Sequence, residues 1–193
     1  MSSGLKITAA LAAAIAAVAL LVVLGSGGTD HGTGPEAGTP MPPFAAPLAA
    51  STLVGDANIS PAACEVSARE AVTSCGVVRS GPAAIGFVTT DDGECKALAG
   101  DLAQAARLVP GLTPVAVGIR GERKPLAKLA ASTPGATVLW DRDGALTNRY
   151  GVAVCPMVVV VRKGGIVAGS LIGSGDDGPQ KLAVDIRRLL AGD

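Results

Sequence analysis

The sequence has few aromatic residues and no excess of charge of either sign. Two phenylalanines, one tryptophan and one tyrosine are spread over 193 residues, so few rings are available to stack on nucleic-acid bases. The 16 basic residues balance 16 acidic ones, and like charges do not cluster in runs. Nucleic acid is therefore not expected as a partner, because its backbone is bound by clustered basic side chains.

Histidine and closely spaced cysteine pairs are also lacking. The single histidine, His31, lies in a segment rich in glycine, threonine and proline, so no histidine is available in a folded domain for catalysis or zinc binding. No cofactor or metal site is predicted. The four cysteines, which allow three pairings, include no C-x-x-C motif: Cys64, Cys75, Cys95 and Cys155.

One long apolar run stands near the N-terminus and accounts for much of the positive mean hydropathy of +0.46. Residues 7–25, ITAALAAAIAAVALLVVLG, carry no charge over the length that a bilayer core requires of a helix. Lys6 precedes the run, which predicts a cytoplasmic N-terminus at residues 1–6 and a single-pass anchor in the cell membrane. The following residues would then be extracytoplasmic. The alternative is a cleaved signal peptide and a secreted protein.

The next segment, residues 26–43, consists mainly of glycine, threonine and proline. Such a composition cannot bury enough apolar surface to offset its chain entropy. We therefore expect a flexible tether here, and a folded domain over residues 44–193.

The folded domain shows alternating strand and helix patterns, which predict an α/β fold. Strands are predicted at 83–90, 113–120, 136–140, 157–162 and 166–173 from short apolar runs bounded by turn residues. Helices are predicted at 93–109 and 122–132, with a short helical piece after residue 144 and a C-terminal helix after residue 178. The first three strands are expected to pair in parallel, and the KGG link makes the last two an antiparallel hairpin.

This element order and two short stretches resemble the thioredoxin-like superfamily. FVTTDDGECKAL, residues 87–98, is similar to the strand–loop–helix that carries C-x-x-C, with Asp92 in place of the first cysteine and Cys95 as the second. YGVAVCPMVVVVRKGGIV is similar to the segment that contains the cis-proline, which would be Pro156. MPPFAAPL resembles the opening of membrane-tethered redoxin domains, the branch that includes peroxiredoxins and extracytoplasmic thiol–disulfide oxidoreductases.

The resemblance implies how the cysteines pair. The residue before the cis-proline packs against the first turn of the helix in this fold, so Cys155 would lie close enough to Cys95 for a disulfide. Cys64 and Cys75 would form a structural bridge around EVSAREAVTS, as is common in oxidising compartments. The positive end of the helix favours a thiolate at Cys95, whereas the carboxylates of Asp91, Asp92 and Glu94 oppose it.

Two functions remain from different classes. In the first, Cys95 and Cys155 are a non-vicinal redox pair of a thiol–disulfide oxidoreductase acting on protein thiols or disulfides, with Asp92 and Pro156 as further site residues. In the second, both disulfides are structural and the domain is a redox-inactive scaffold that binds an extended peptide in the cis-proline groove. Peroxidase activity is not favoured, because the required threonine three residues before Cys95 is replaced by Asp92.

Overall fold

The structure is a computed structural model that describes residues 34–173 and 178–192. Seven strands and five helices occur in these ranges, together with a short 3-10 turn at Pro61–Glu65. The strands are β1 (Ala45–Pro47), β2 (Ala71–Thr73), β3 (Ala83–Val88), β4 (Thr113–Ile119), β5 (Thr137–Asp141), β6 (Met157–Val161) and β7 (Val167–Ile172). The helices are α1 (Ser74–Val77), α2 (Gly93–Leu108), α3 (Arg123–Ser132), α4 (Ala145–Arg149) and α5 (Gly178–Ala191).

The main sheet is mixed and has the strand order β5-β4-β3-β6-β7. β3 pairs in parallel with β4 and antiparallel with β6, and β4 pairs in parallel with β5. β6 and β7 form the antiparallel hairpin predicted from the KGG turn. The α/β prediction and all five predicted strands of this sheet are therefore confirmed.

The sheet is covered on both faces, which explains the uninterrupted apolar character of its central strands. Every residue of β3 and β6 is buried. One face carries the apolar sides of α2, α3 and α5, and the other carries Phe44, α4 and the segments near the domain N-terminus. Strands buried on both faces lose the alternating pattern of half-exposed strands.

Close packing of α2 on the sheet depends on Gly86 in β3. A Cβ atom at this position would lie 2.5 Å from Leu102 Cδ1 and 2.9 Å from Leu98 Cδ2. Those two leucines are fully buried in the core, so their side chains have little room to move. Helix α2 therefore packs directly against the backbone of β3 at Gly86, and β3 leads into the candidate site.

We expect Gly86→Ala to destabilise the domain by about 1–3 kcal/mol, because the added methyl group overpacks the α2 interface. Urea denaturation followed by circular dichroism measures the change. Gly100→Ala is the matched control, since no atom lies within 4 Å of the Cβ position there and alanine favours a helix interior. Equal stability of the two variants would contradict this account of the interface.

Backbone pairing with the sheet begins at residue 38, before the predicted start of the folded domain at residue 44. Gly38 N donates to Val167 O at 2.9 Å, Val167 N donates to Thr39 O at 2.9 Å, and Met41 N donates to Gly165 O at 2.8 Å. This stretch had been predicted as part of the flexible tether. Backbone pairing requires no apolar side chains, so composition does not reveal it.

The predicted membrane anchor at residues 7–25 lies outside the described residues, as does His31. Within the ranges 34–173 and 178–192, no helix combines the length and apolarity needed to cross a bilayer.

Candidate functional site

The first turn of α2 places Cys95 at the end of β3. Asp92 is the N-cap residue, and its Oδ1 accepts a hydrogen bond from Cys95 N at 2.8 Å. A capping carboxylate satisfies a free helix N–H and contributes about 1 kcal/mol. The structure thus gives the aspartate of D-x-x-C a structural role, and a chemical role for it in the exchange of sulfur bonds stays a prediction.

Cys95 and Cys155 are joined by a disulfide, with 5.5 Å between their Cα atoms and 60 residues between them in sequence. The Cys155–Pro156 peptide bond is cis, and Pro156 is buried at the start of β6. The structure therefore brings together Cys95, Cys155, Asp92 and Pro156, the residues that the family resemblance had selected. It does so because β6 pairs directly with β3, the strand that precedes α2.

The two sulfur atoms have different surroundings. Thr89 N donates a hydrogen bond to Cys95 Sγ at 3.0 Å. Cys155 Sγ lies 3.1 Å from the carbonyl oxygen of Phe87, an acceptor. The same oxygen lies farther from Cys95 Sγ, at 3.9 Å. The N–H donor beside Cys95 and the shorter distance from Cys155 to the carbonyl oxygen both favour negative charge on Cys95 over Cys155.

The two cysteines also differ in exposure. Cys95 is 1% exposed and belongs to the core cluster beneath α2. Cys155 is half-buried, and its neighbours Ala153 and Val154 are exposed. Val154, an apolar side chain, is 45% exposed. The disulfide is therefore open to a partner on the side of Cys155.

An aromatic cluster supports the backbone on which Cys155 rests. The ring centroid of Phe87 lies 5.5 Å from that of Tyr150, and the Phe44 ring packs edge-on against Tyr150 at 6.2 Å. Tyr150 Oη donates to Pro42 O at 3.0 Å. Burial raises the pKa of Tyr150, so this hydroxyl stays protonated and keeps its role as donor.

Helix α4 precedes the cis-proline segment in the chain, and a buried carboxylate at the end of β5 accepts hydrogen bonds from its first turn. Asp141 Oδ1 accepts from Leu146 N at 3.0 Å, and Oδ2 accepts from Thr147 N at 2.7 Å and Thr147 Oγ1 at 2.6 Å. The sequence analysis assigned no role to Asp141, so these contacts were missed. Asp141 ends β5 and Gly144 occupies the N-cap position of α4, so the usual N-cap signal in the sequence does not identify this contact.

Burial raises the pKa of Asp141, the hydrogen bonds from Thr147 and Leu146 lower it in part, and the charge of Asp56 raises it further. The folded state therefore keeps this proton to a higher pH than the unfolded chain does. The contribution of Asp141 to stability is therefore greatest at low pH, and it is lost as the pH rises from 3.8 through the raised pKa of the folded state.

We expect Asp56→Asn to flatten this loss, because the variant removes a negative charge that raises the pKa of Asp141. The free energies of unfolding of the wild type and the variant, measured from pH 3.5 to 7 (roughly the span over which buried carboxylates titrate), provide the comparison. Asp143→Asn is the control, since Arg142 lowers the pKa of Asp143 and its removal should not flatten the curve. Parallel curves for wild type and Asp56→Asn would contradict the coupling.

The other two cysteines form a second disulfide in the N-terminal half of the domain. Cys64 and Cys75, with Cα atoms 5.6 Å apart, join the 3-10 turn at Pro61–Glu65 to α1. Ser74, next to Cys75, is buried, and its Oγ accepts a hydrogen bond from Phe44 N at 3.1 Å. The bridge thus holds the segment that covers one face of the main sheet, as a structural disulfide would.

A cleft of about 420 Å³ opens beside the first turn of α2, between the loop after β3 and helix α3. It is lined by polar and charged side chains that include Thr90, Asp91, Lys96 and Lys128. In the described part of the chain, no three histidine, cysteine or carboxylate side chains are grouped as a metal ion would require.

No protein-family model matches this chain, and no curated protein matches it.

Solved structures of thioredoxin-like proteins match the fold. A candidate thiol:disulfide interchange protein DsbE from Chlorobium tepidum is 20% identical with a TM-score of 0.61, covering 80% of this chain and 98% of that one. The peroxidoxin BcpB from Mycobacterium tuberculosis is 17% identical with a TM-score of 0.58, covering 81% and 97%. A secreted Mycobacterium tuberculosis disulfide oxidoreductase homologous to Escherichia coli DsbE is 24% identical with a TM-score of 0.50, covering 57% and 83%. The chain therefore has a thioredoxin-like fold.

Proposed function

We propose that this protein is a thiol–disulfide oxidoreductase whose redox pair is Cys95 and Cys155. The observation that carries the proposal is the position of this disulfide. It lies at the N-terminus of α2 and beside the cis bond before Pro156, with Thr89 N directed at Cys95 Sγ. A helix N-terminus and a hydrogen-bond donor both stabilise a thiolate, which is the species that attacks or leaves in exchange.

The proposed reaction exchanges two electrons between this pair and two cysteines of a protein substrate. A thiolate attacks one sulfur of a disulfide, the other sulfur leaves as a thiolate, and a mixed disulfide links the two proteins. The second thiol of the attacking pair then resolves the mixed disulfide. A vicinal C-x-x-C is not needed, because the fold places the two sulfurs in bonding contact across 60 residues of sequence.

The substrate class that fits the site is an extended segment of a protein that carries cysteines. Val154 is exposed, and within the described ranges neither its N–H nor its C=O takes part in a hydrogen bond. Such backbone groups can pair with a peptide as an added strand does. We further propose that residues 7–25 anchor the domain in the cell membrane with residues 44–193 outside, where disulfides persist.

One observation favours the competing function, a redox-inactive scaffold with two structural disulfides. Cys95 is 1% exposed, and buried disulfides in well-packed cores commonly resist reduction. In that case the domain would bind a peptide and exchange no sulfur bonds. The two functions make opposite predictions about catalytic turnover.

The test is a turnover assay with the full chain in detergent micelles. A synthetic peptide with two cysteines is incubated in a glutathione redox buffer, and its oxidised form is quantified over time by chromatography. The proposal predicts an initial rate that rises in proportion to protein concentration. A rate equal to that of the buffer alone would contradict the proposal and favour the scaffold.

A further inference from the structure

The two sulfurs of the proposed redox pair are not equally accessible to a substrate. Cys95 is 1% exposed and lies beneath the first turn of α2, whereas Cys155 is half-buried and follows the exposed residues Ala153 and Val154. Attack on a disulfide requires that the incoming thiolate approach the attacked sulfur along the line of the sulfur–sulfur bond. A substrate that arrives from solvent therefore reaches Cys155 first.

The two sulfurs also differ in how well each one can carry negative charge. Cys95 Sγ accepts the Thr89 N–H at 3.0 Å and lies at the positive end of the α2 dipole. The carboxylates of Asp91, Asp92 and Glu94 oppose a thiolate there, but all three residues are exposed and solvent screens their charges. The Phe87 carbonyl oxygen lies 3.1 Å from Cys155 Sγ and 3.9 Å from Cys95 Sγ, so it disfavours a thiolate more strongly at Cys155. The better-stabilised thiolate is the better leaving group, so cleavage of the disulfide should release Cys95.

From these two independent observations we propose that Cys155, the residue before the cis-proline, is the sulfur that becomes covalently joined to the substrate, and that Cys95 is the buried resolving sulfur. The inference rests on the proposed redox function and adds a direction to it. The substrate-linked sulfur then comes from the cis-proline segment, and the sulfur on the helix stays within the protein.

The steps balance as follows for oxidation of a substrate dithiol. One substrate thiolate attacks Cys155 Sγ, the bond to Cys95 breaks, and Cys95 keeps the electron pair as a thiolate held by Thr89 N–H. The second substrate thiolate attacks the substrate sulfur of the mixed disulfide, and Cys155 leaves with the electron pair and takes a proton. The substrate loses two electrons and two protons; the Cys95–Cys155 pair gains both electrons and, on Cys155, one proton, and the other proton goes to the solvent. Reduction of a substrate disulfide is the reverse sequence.

The first test uses the wild-type full chain, which avoids any variant that fails to fold. Oxidised protein is mixed with reduced glutathione, and the reaction is stopped at short times by acid and alkylation. Peptide mapping by mass spectrometry then locates the glutathione adduct. We expect adducts on Cys155 to exceed those on Cys95 by at least about tenfold, because attack is favoured at the accessible sulfur with the better leaving partner.

The second test uses the matched variants Cys95→Ser and Cys155→Ser with oxidised glutathione as the probe. Cys95→Ser is expected to accumulate an adduct on Cys155, since no resolving thiol remains. Cys155→Ser is expected to react at Cys95 at least about tenfold more slowly, because that thiol is buried.

The outcomes separate this inference from the function on which it rests. Adducts mainly on Cys95, or divided equally between the two sulfurs, would overturn the assignment and leave the redox function standing. A wild-type disulfide that forms no adduct with glutathione on either sulfur would overturn both.

Discussion

We expect a Cys155→Ser variant of the full chain to have no exchange turnover above the buffer rate, and a Cys64→Ser/Cys75→Ser variant to turn over like the wild type. The reason is that exchange needs two thiols that can form one bond, and Cys95 has Cys155 as its partner. A single remaining thiol cannot form the intramolecular disulfide that accepts the two electrons of the dithiol substrate. The Cys64–Cys75 bridge joins the 3-10 turn to α1 and takes no part in the proposed reaction.

The assay follows disulfide formation in a dithiol peptide at equal concentrations of each protein. Circular dichroism at the assay temperature shows whether each variant is folded, so that loss of activity is not confused with unfolding. Cys95→Ser should also be inactive in turnover. Activity that survives in Cys155→Ser but disappears in Cys64→Ser/Cys75→Ser would contradict the proposal, because it would show that Cys64 and Cys75 are the redox pair.

The same Cys64→Ser/Cys75→Ser variant is expected to keep its activity but to lose stability. We expect its free energy of unfolding to be lower than that of the wild type by about 3 kcal/mol, the chain-entropy value for a loop of this size. The closed loop spans 11 residues of sequence and holds Ser74, whose buried hydroxyl accepts from Phe44 N. Losing the bridge frees the segment that packs around Phe44.

Urea denaturation of the oxidised proteins, followed by far-ultraviolet circular dichroism, measures this difference. Ser67→Ala serves as the control in the same loop, since Ser67 is exposed and a surface substitution there should change stability by at most about 0.5 kcal/mol. A double-serine variant as stable as this control would show that the bridge is not structural.

The elements that surround the site were predictable from the sequence because their patterns are local. The apolar runs of β3 and β6 and the helical stripe of α2 each identify their own element type. The contact between Cys95 and Cys155 is not local, and periodicity alone left three pairings open. The resemblance of the segment around Pro156 to a known arrangement selected the pairing.

Features that depend on long-range polar contacts were missed. Arg123 donates to the carbonyl oxygens of Ser51 and Leu53 and stacks on Trp140 at 3.9 Å. β1 and β2 pair as a small separate sheet, with three residues each, too short to leave a pattern. Such contacts join residues about 20 to 70 positions apart in sequence. The identity of one residue does not predict which distant residue it will contact.

The claim that Cys95–Cys155 is an exchangeable bond is tested most directly by redox titration of the full chain. Protein is equilibrated in dithiol buffers of stepped potential, free thiols are alkylated, and each cysteine is scored by peptide mapping. We expect Cys95 and Cys155 to open together between about −270 and −120 mV, the range of exchange catalysts, while Cys64 and Cys75 stay joined. A Cys95–Cys155 bond that stays closed below about −300 mV would mark it as a structural disulfide and contradict the proposed function.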